Sequence, residues 1–202
     1  MHSKKVSYSE ILKSTSLFGG VQLINIIIQI LRSKVIALLL GSAGIGLIGL
    51  YNSTINLVFS LSNFGLSTSG VKEIAEAEKT NDFSTISYKV SLLDKIVLIT
   101  SILGAVSLLV FSNSISELTF DNKDYSNAFK FLSLSIFFKQ LTSGKLIILQ
   151  GLRRLNFLAK ANVIGNLLGL IFTLPLYYFF NLKAIVPAII ITSIITFLVS
   201  IS

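Results

Sequence analysis

The sequence contains no cysteine, and its only histidine is His2, near the start of a chain of 202 residues. Disulfides, zinc–thiolate sites and iron–sulfur clusters therefore have no ligands here. A His-ligated metal and a Ser–His–Asp catalytic triad are excluded because the one histidine is at the terminus, and we expect neither a metal nor another cofactor. Charged residues are scarce as well, since they make up 13% of the chain, whereas a soluble domain carries roughly 25%.

The few charged residues leave five long uncharged stretches between them. A helix needs about 20 mostly apolar residues to cross the hydrocarbon core of a bilayer, and a small soluble protein has no use for five stretches of about this length. These stretches cover residues 14–31, 35–71, 96–116, 161–182 and 184–202. The sequence therefore predicts an all-α integral membrane protein with several membrane passes.

We predict six transmembrane helices. The stretch 35–71 would be about 55 Å long as one helix, so it has to break, and the glycine-rich segment 41–46 permits a turn at low cost. The chain ends inside an apolar stretch without a polar tail, so we expect residues 1–202 to be one six-helix lobe at the N-terminus of a longer protein. The predicted spans cover residues 13–40, 46–67, 90–111, 126–149, 157–180 and 184–202.

The positions of lysine and arginine predict the orientation of these spans. With the N-terminus in the cytoplasm, the inner connections hold nine basic residues, among them Lys4 and Lys5, and the outer connections hold three. Such a bias is typical of membrane proteins and explains the formal net charge of +8. We expect no nucleic-acid partner, because no basic stretch is long enough to follow a phosphate backbone. Arg153 and Arg154 mark an inner turn, where contact with a lipid phosphate is an alternative role.

Three of the predicted spans carry polar residues at intervals of three or four, which places each set on one helical face. Such residues either join helices through hydrogen bonds or face a hydrated cavity. We favour a shared cavity, because joining helices needs only one or two polar residues in each. The three stripes are Gln22, Asn25, Gln29 and Arg32; Asn52, Asn56, Ser60 and Asn63; and Asn162, Asn166, Gly169 and Thr173.

Two basic residues give this expected cavity a charge. Lys139 lies near the middle of the fourth span, where a lysine costs at least about 2.5 kcal/mol. Arg32 either caps a short first helix at the interface or lies deep in a helix that continues to Leu40; we favour the deep position, because it buries the apolar segment 35–40. No Asp or Glu lies deep in a span, and we expect Asp94 to be interfacial. A cationic, amide-lined cavity suits an anion with many hydroxyl groups, such as a phosphate-linked sugar.

Five segments in order along the chain resemble the Wzx-type O-antigen translocases. These are bacterial polysaccharide flippases of the multidrug/oligosaccharidyl-lipid/polysaccharide (MATE-like) exporter superfamily, and the resemblance spans nearly the whole chain. In related lipid-precursor flippases an arginine ahead of the first helix's terminal glycine lines the cavity, and Arg32, nine residues before Gly41, matches it. The segments are 16–22, 32–41, 44–51, 65–75 and 149–154.

The resemblance implies a transporter with two six-helix lobes around a central cavity, of which this chain is the N-terminal lobe. It implies a translocase and not an enzyme, located in the bacterial inner membrane. Its substrate would be undecaprenyl-pyrophosphate-linked oligosaccharide, moved from the inner to the outer leaflet by alternating access. Its partners would be this lipid-linked oligosaccharide, membrane lipid and other membrane proteins of polysaccharide assembly.

The predicted substrate site combines the two basic residues with the amides of the stripes. Arg32 and Lys139 would offset the pyrophosphate charge, and the amides would contact sugars or water. The full set is Arg32, Lys139, Gln22, Asn25, Gln29, Asn52, Asn56, Asn63, Asn162 and Asn166.

Three alternatives to a flippase remain open. A multidrug or cation antiporter of the same superfamily requires a buried acid. A polytopic membrane enzyme of polysaccharide assembly requires catalytic acids or histidines in large outer loops, for which only Glu117, Asp121 and Asp124 are candidates. A structural assembly subunit needs no site at all.

Overall fold

The computed structural model describes residues 8–201, and every regular element within them is a helix. The prediction of an all-α protein is confirmed. Lys4 and Lys5, on which the predicted orientation partly depends, lie outside the described residues. The elements are α1 (Tyr8–Ser62), α2 (Leu66–Lys79), α3 (Phe83–Val110), α4 (Ser112–Phe120), α5 (Ser126–Gly151), α6 (Leu155–Phe180), a 3-10 turn (Asn181–Ala184) and α7 (Ile185–Ile201).

Four helical stretches are long and apolar enough to cross a membrane, which confirms the prediction of a membrane protein. The first and the last are 38 and 47 residues long, whereas about 20 residues suffice for one crossing. Each of these two is interrupted, the first at Gly41 and the last at the 3-10 turn. Six separate spans stay a prediction. The four stretches are Asn25–Ser62, Phe83–Val110, Ser126–Gly151 and Leu155–Ile201.

Helix α1 is broken at Gly41, where the sequence predicts a break. The backbone at this residue has φ 67° and ψ −169°, a region that is essentially restricted to glycine. A Cβ added there would meet no other atom within 4 Å, so the backbone conformation alone requires glycine. The break divides α1 into two segments, 8–40 and 42–62.

A second break separates α1 from α2. Phe64 and Gly65 adopt left-handed conformations, with φ of 47° and 73°, and the chain then resumes a helix at Leu66. The predicted second span, 46–67, therefore contains this break. Helix α2 packs along α5, because a Cβ on Gly70 would lie 3.0 Å from the side chain of Ile147.

Small residues bring the helices close together, which is how membrane helices gain packing without a hydrophobic driving force between them. Gly144 of α5 lies against Val97 of α3. Gly165 and Gly169 of α6 lie against threonines of α7. Helix α5 is the central element, since it packs on α3 and also on α7, which is backed by α6.

The surface of the first α1 segment is largely apolar and exposed, as expected of a helix that faces lipid. Of the side chains described in this segment, Ile28 and Ile36 are well covered, each 6% exposed, and α1 packs on α6. The predicted outer loop 112–125 contains the short helix α4. Exposed aliphatic side chains of the α1 segment are Leu23, Ile26, Ile27, Ile30, Leu31 and Leu38.

Candidate functional site

Helices α1, α5, α6 and α7 together line a cavity of about 590 Å³. Both basic residues of the predicted site, Arg32 and Lys139, line it. Three of the predicted amides also line it, namely Asn52, Asn162 and Asn166. The structure therefore brings residues from all three predicted stripes to one place, together with the lysine of α5.

Lys139 is half-buried, and two residues of the second α1 segment hold its ammonium group. The Nζ atom donates a hydrogen bond to Oδ1 of Asn56 and lies 5.1 Å from the ring centroid of Phe59. An aromatic face attracts a cation at this distance. Both contacts are with neutral groups, and none of the ion pairs among the side chains that the structure describes involves Lys139.

Arg32 reaches the cavity from the first α1 segment, nine residues before the break at Gly41. It is half-buried. Its neighbour on α6 is Tyr177, whose hydroxyl group is buried. As with Lys139, the part of the chain that the structure describes supplies Arg32 with no ion-pair partner.

The cavity amides also join helices. Nδ2 of Asn166 donates to Oδ1 of Asn25 at 3.0 Å, which links α6 to the first α1 segment. Nδ2 of Asn162 donates to the carbonyl of Leu158 on its own helix, also at 3.0 Å. The two interpretations of the stripes, a polar cavity and hydrogen bonds between helices, thus both apply to Asn166.

Three residues of the predicted site lie elsewhere. Gln22 and Gln29 do not line the cavity, because they lie on a part of α1 that neighbouring helices leave exposed. Asn63 is only 6% exposed and turns away from the cavity. Its Oδ1 accepts a hydrogen bond from Nε2 of Gln140 at 3.1 Å, since a fully buried amide such as Gln140 needs polar partners.

Hydroxyl groups form much of the cavity wall, and the predicted site does not contain them. Serine and threonine barely change the apolar character of a span, so only their spacing could have indicated them. Ser135 and Ser143 flank Lys139 at intervals of four, and Thr192 and Thr196 are also four apart. The lining hydroxyl residues are Ser33, Ser135, Thr142, Ser143, Thr192, Ser193 and Thr196.

Asp94 lies outside the cavity and is paired. Its carboxylate oxygens accept hydrogen bonds from Nζ of Lys145 at 2.8 and 3.0 Å, which joins α3 to α5. The side chains of Lys145 and Asp94 are 34% and 40% exposed. None of the residues that line the cavity is acidic, so the cavity is cationic.

A comparison with family models matches polysaccharide biosynthesis proteins over residues 35–202. The chain belongs to this family. No curated protein and no solved structure matches it. The matched region contains every residue that lines the cavity except Arg32 and Ser33. This polysaccharide biosynthesis protein therefore has a role in polysaccharide synthesis or export, and its membrane helices enclose a cationic cavity lined with amides and hydroxyls.

Proposed function

We propose that this protein is a flippase that moves undecaprenyl-pyrophosphate-linked oligosaccharide, an O-antigen or related repeat unit, from the inner to the outer leaflet of the bacterial inner membrane. It acts as one lobe of a two-lobe transporter that works by alternating access. The observation that carries the proposal is the meeting of Arg32 and Lys139 in one cavity. Membership in a family of polysaccharide biosynthesis proteins supports the class of substrate.

The pyrophosphate group of the carrier lipid is the part of the substrate that needs these two residues. A guanidinium group binds phosphate oxygens through two parallel hydrogen bonds, and an ammonium adds a compact charge. Neither residue takes part in an ion pair among the described side chains, so both are available to an anion. Charges held out of bulk water interact more strongly with a ligand than exposed charges do.

The absence of acidic side chains from the cavity lining favours an anionic substrate over a cationic one. A drug or cation antiporter needs a carboxylate where its substrate binds, and the carboxylate of Asp94 is engaged by Lys145 outside the cavity. The substrate must bind with different affinity to the inward-open and outward-open states for transport to occur.

Neutralising each of the two basic residues tests the proposal. Arg32→Gln and Lys139→Gln should strongly reduce surface polysaccharide in cells whose only copy of the protein carries the change, while the amount of protein in the membrane stays normal. Lys34→Gln and Lys130→Gln are matched controls, since both lysines are exposed and outside the cavity. Both should behave like the unmodified protein.

The two cavity variants are compared with the two control variants. Normal surface polysaccharide in both Arg32→Gln and Lys139→Gln would contradict the proposal. An equal loss in the two control variants would show that net positive charge matters and that the cavity does not.

A further inference from the structure

The hydroxyl groups of α7 that line the cavity donate their hydrogen bonds to backbone carbonyl groups of their own helix. Thr192 donates to the carbonyl of Ala188 at 2.8 Å, and Ser193 donates to the carbonyl of Ile189 at 3.0 Å. Thr196 donates to the carbonyl of Thr192, also at 3.0 Å. A hydroxyl has one proton and two lone pairs, and a serine or threonine in a helix often uses that proton on the preceding turn. Only lone pairs therefore remain to face the cavity.

Ser135 of α5 extends the same pattern. Its Oγ atom lies 2.6 Å from that of Ser193. Both hydrogen bonds of Ser193 form at once only when Ser135 donates in this pair and Ser193 donates to the carbonyl of Ile189. The hydroxyl face, which we define as Ser135, Thr192, Ser193 and Thr196, thus offers hydrogen-bond acceptors to the cavity.

Two glycines of α6 hold the threonines in this orientation. A Cβ on Gly169 would lie 3.0 Å from Cγ2 of Thr192, and a Cβ on Gly165 would lie 3.2 Å from Cγ2 of Thr196. The methyl groups thus occupy the space that the missing glycine side chains leave. Rotating either threonine would remove its methyl group from that space, so the packing of α6 on α7 keeps the hydroxyl oxygens in place.

We propose that the hydroxyl face binds the glycan part of the substrate by accepting hydrogen bonds from sugar hydroxyls, while Arg32 and Lys139 hold the pyrophosphate. This inference rests on the proposed function. Phosphate oxygens are acceptors only, so they are repelled by a wall of acceptors and attracted to the donor-only side chains of Arg32 and Lys139. Sugar hydroxyls, in contrast, have protons to donate. The cavity therefore distinguishes the two ends of a sugar–phosphate substrate.

The double variant Thr192→Val and Thr196→Val tests the inference, since valine keeps the methyl group on each glycine and removes the acceptor oxygen. The assay measures translocation in vesicles that contain the intact protein, with undecaprenyl pyrophosphate either carrying its oligosaccharide or carrying no sugar. We expect the glycan-bearing lipid to move about tenfold more slowly, which corresponds to about 1.4 kcal/mol, because the variant removes two hydrogen-bond acceptors. The sugar-free lipid should move at the unmodified rate.

Matched variants separate the loss of an acceptor from general damage. Thr173→Val loses the same kind of hydrogen bond, to the carbonyl of Gly169, but Thr173 is buried and does not line the cavity, so both lipids should move normally. Ser193→Ala provides a second test with a smaller change in shape, and it should slow only the glycan-bearing lipid.

The outcomes for the two lipids distinguish this inference from the proposed function. Equal slowing of both lipids by the valine and alanine variants, or no slowing of either, would overturn the role of the hydroxyl face. Arg32→Gln should slow both lipids whatever the valine variants do. An Arg32→Gln variant that moves both lipids normally would count against the proposed function itself, and the inference would fall with it.

Discussion

The contact between Gly144 of α5 and Val97 of α3 leaves no room for even one methyl group. A Cβ on Gly144 would lie 2.7 and 2.8 Å from the two methyl carbons of Val97, well inside ordinary carbon–carbon contact. Valine has essentially one side-chain conformation in a helix, so Val97 cannot turn away. Gly144→Ala therefore forces α3 and α5 apart, at a cost of about 1–3 kcal/mol.

Thermal unfolding in a fixed detergent measures this cost. For a chain of this size the midpoint should fall by about 2–12 °C. Val97→Ala removes both methyl carbons, so the double variant should be more stable than the two single effects predict, with a coupling of roughly 0.5–3 kcal/mol. Gly46→Ala is the control, because it is helical and a Cβ there would meet nothing within 4 Å. It should be neutral or stabilising by up to about 1 kcal/mol.

Two results would refute this reasoning. An unchanged midpoint for Gly144→Ala would mean that α3 and α5 do not pack as closely as the structure has them. A double variant whose loss equals the sum of the single losses would mean that Gly144 and Val97 do not compete for the same space.

Two further predictions concern the backbone break and a helix cap. Gly41→Ala should lower the unfolding midpoint. The backbone at this position has φ 67° and ψ −169°, a conformation that costs alanine about 1–3 kcal/mol. An unchanged midpoint would contradict the break at Gly41. Asp82 caps α3, and hydrogen bonds from Thr85 and Ser84 lower its pKa from 3.8 to about 2. Because the folded pKa is the lower one, the cap stabilises the protein above about pH 4 and is lost as the pH falls through 2. Unfolding midpoints between pH 2 and 5 should therefore fall more steeply in the unmodified protein than in Asp82→Asn, and parallel curves would contradict this cap.

Several features of the fold follow directly from the sequence. The gaps between charged residues locate the apolar helices, and the glycines of segment 41–46 locate the break in α1. Arg32 and Lys139 were expected at depth from the apolar residues around them, and both line the cavity. The helices and the break can be predicted because hydrophobicity and the conformational needs of glycine are local properties of a segment, whereas the membrane depth of the two basic residues stays a prediction.

Other features depend on which helices become neighbours, and spacing along one helix does not contain that information. The spacing of the second stripe places Asn63 on the same face as Asn52, yet Asn63 forms a hydrogen bond with the buried Gln140 of α5. Asp94 forms an ion pair with Lys145 of another helix, 51 residues along the chain. The hydroxyl face was missed because serine and threonine are common in apolar helices and become distinctive only when several helices place them around one cavity.

Contacts with helix α5 also fix the number of residues between Asn56 and Asn63 in the chain. The adjacent residues Lys139 and Gln140 hold Asn56 and Asn63, which are seven residues, or about 10.5 Å, apart along the chain. Deleting one residue between the two asparagines would rotate Asn63 by about 100° relative to Asn56, so both amides could not keep their partners. The segment 57–62 should thus accept exchanges between side chains of similar size far more readily than any change in its length.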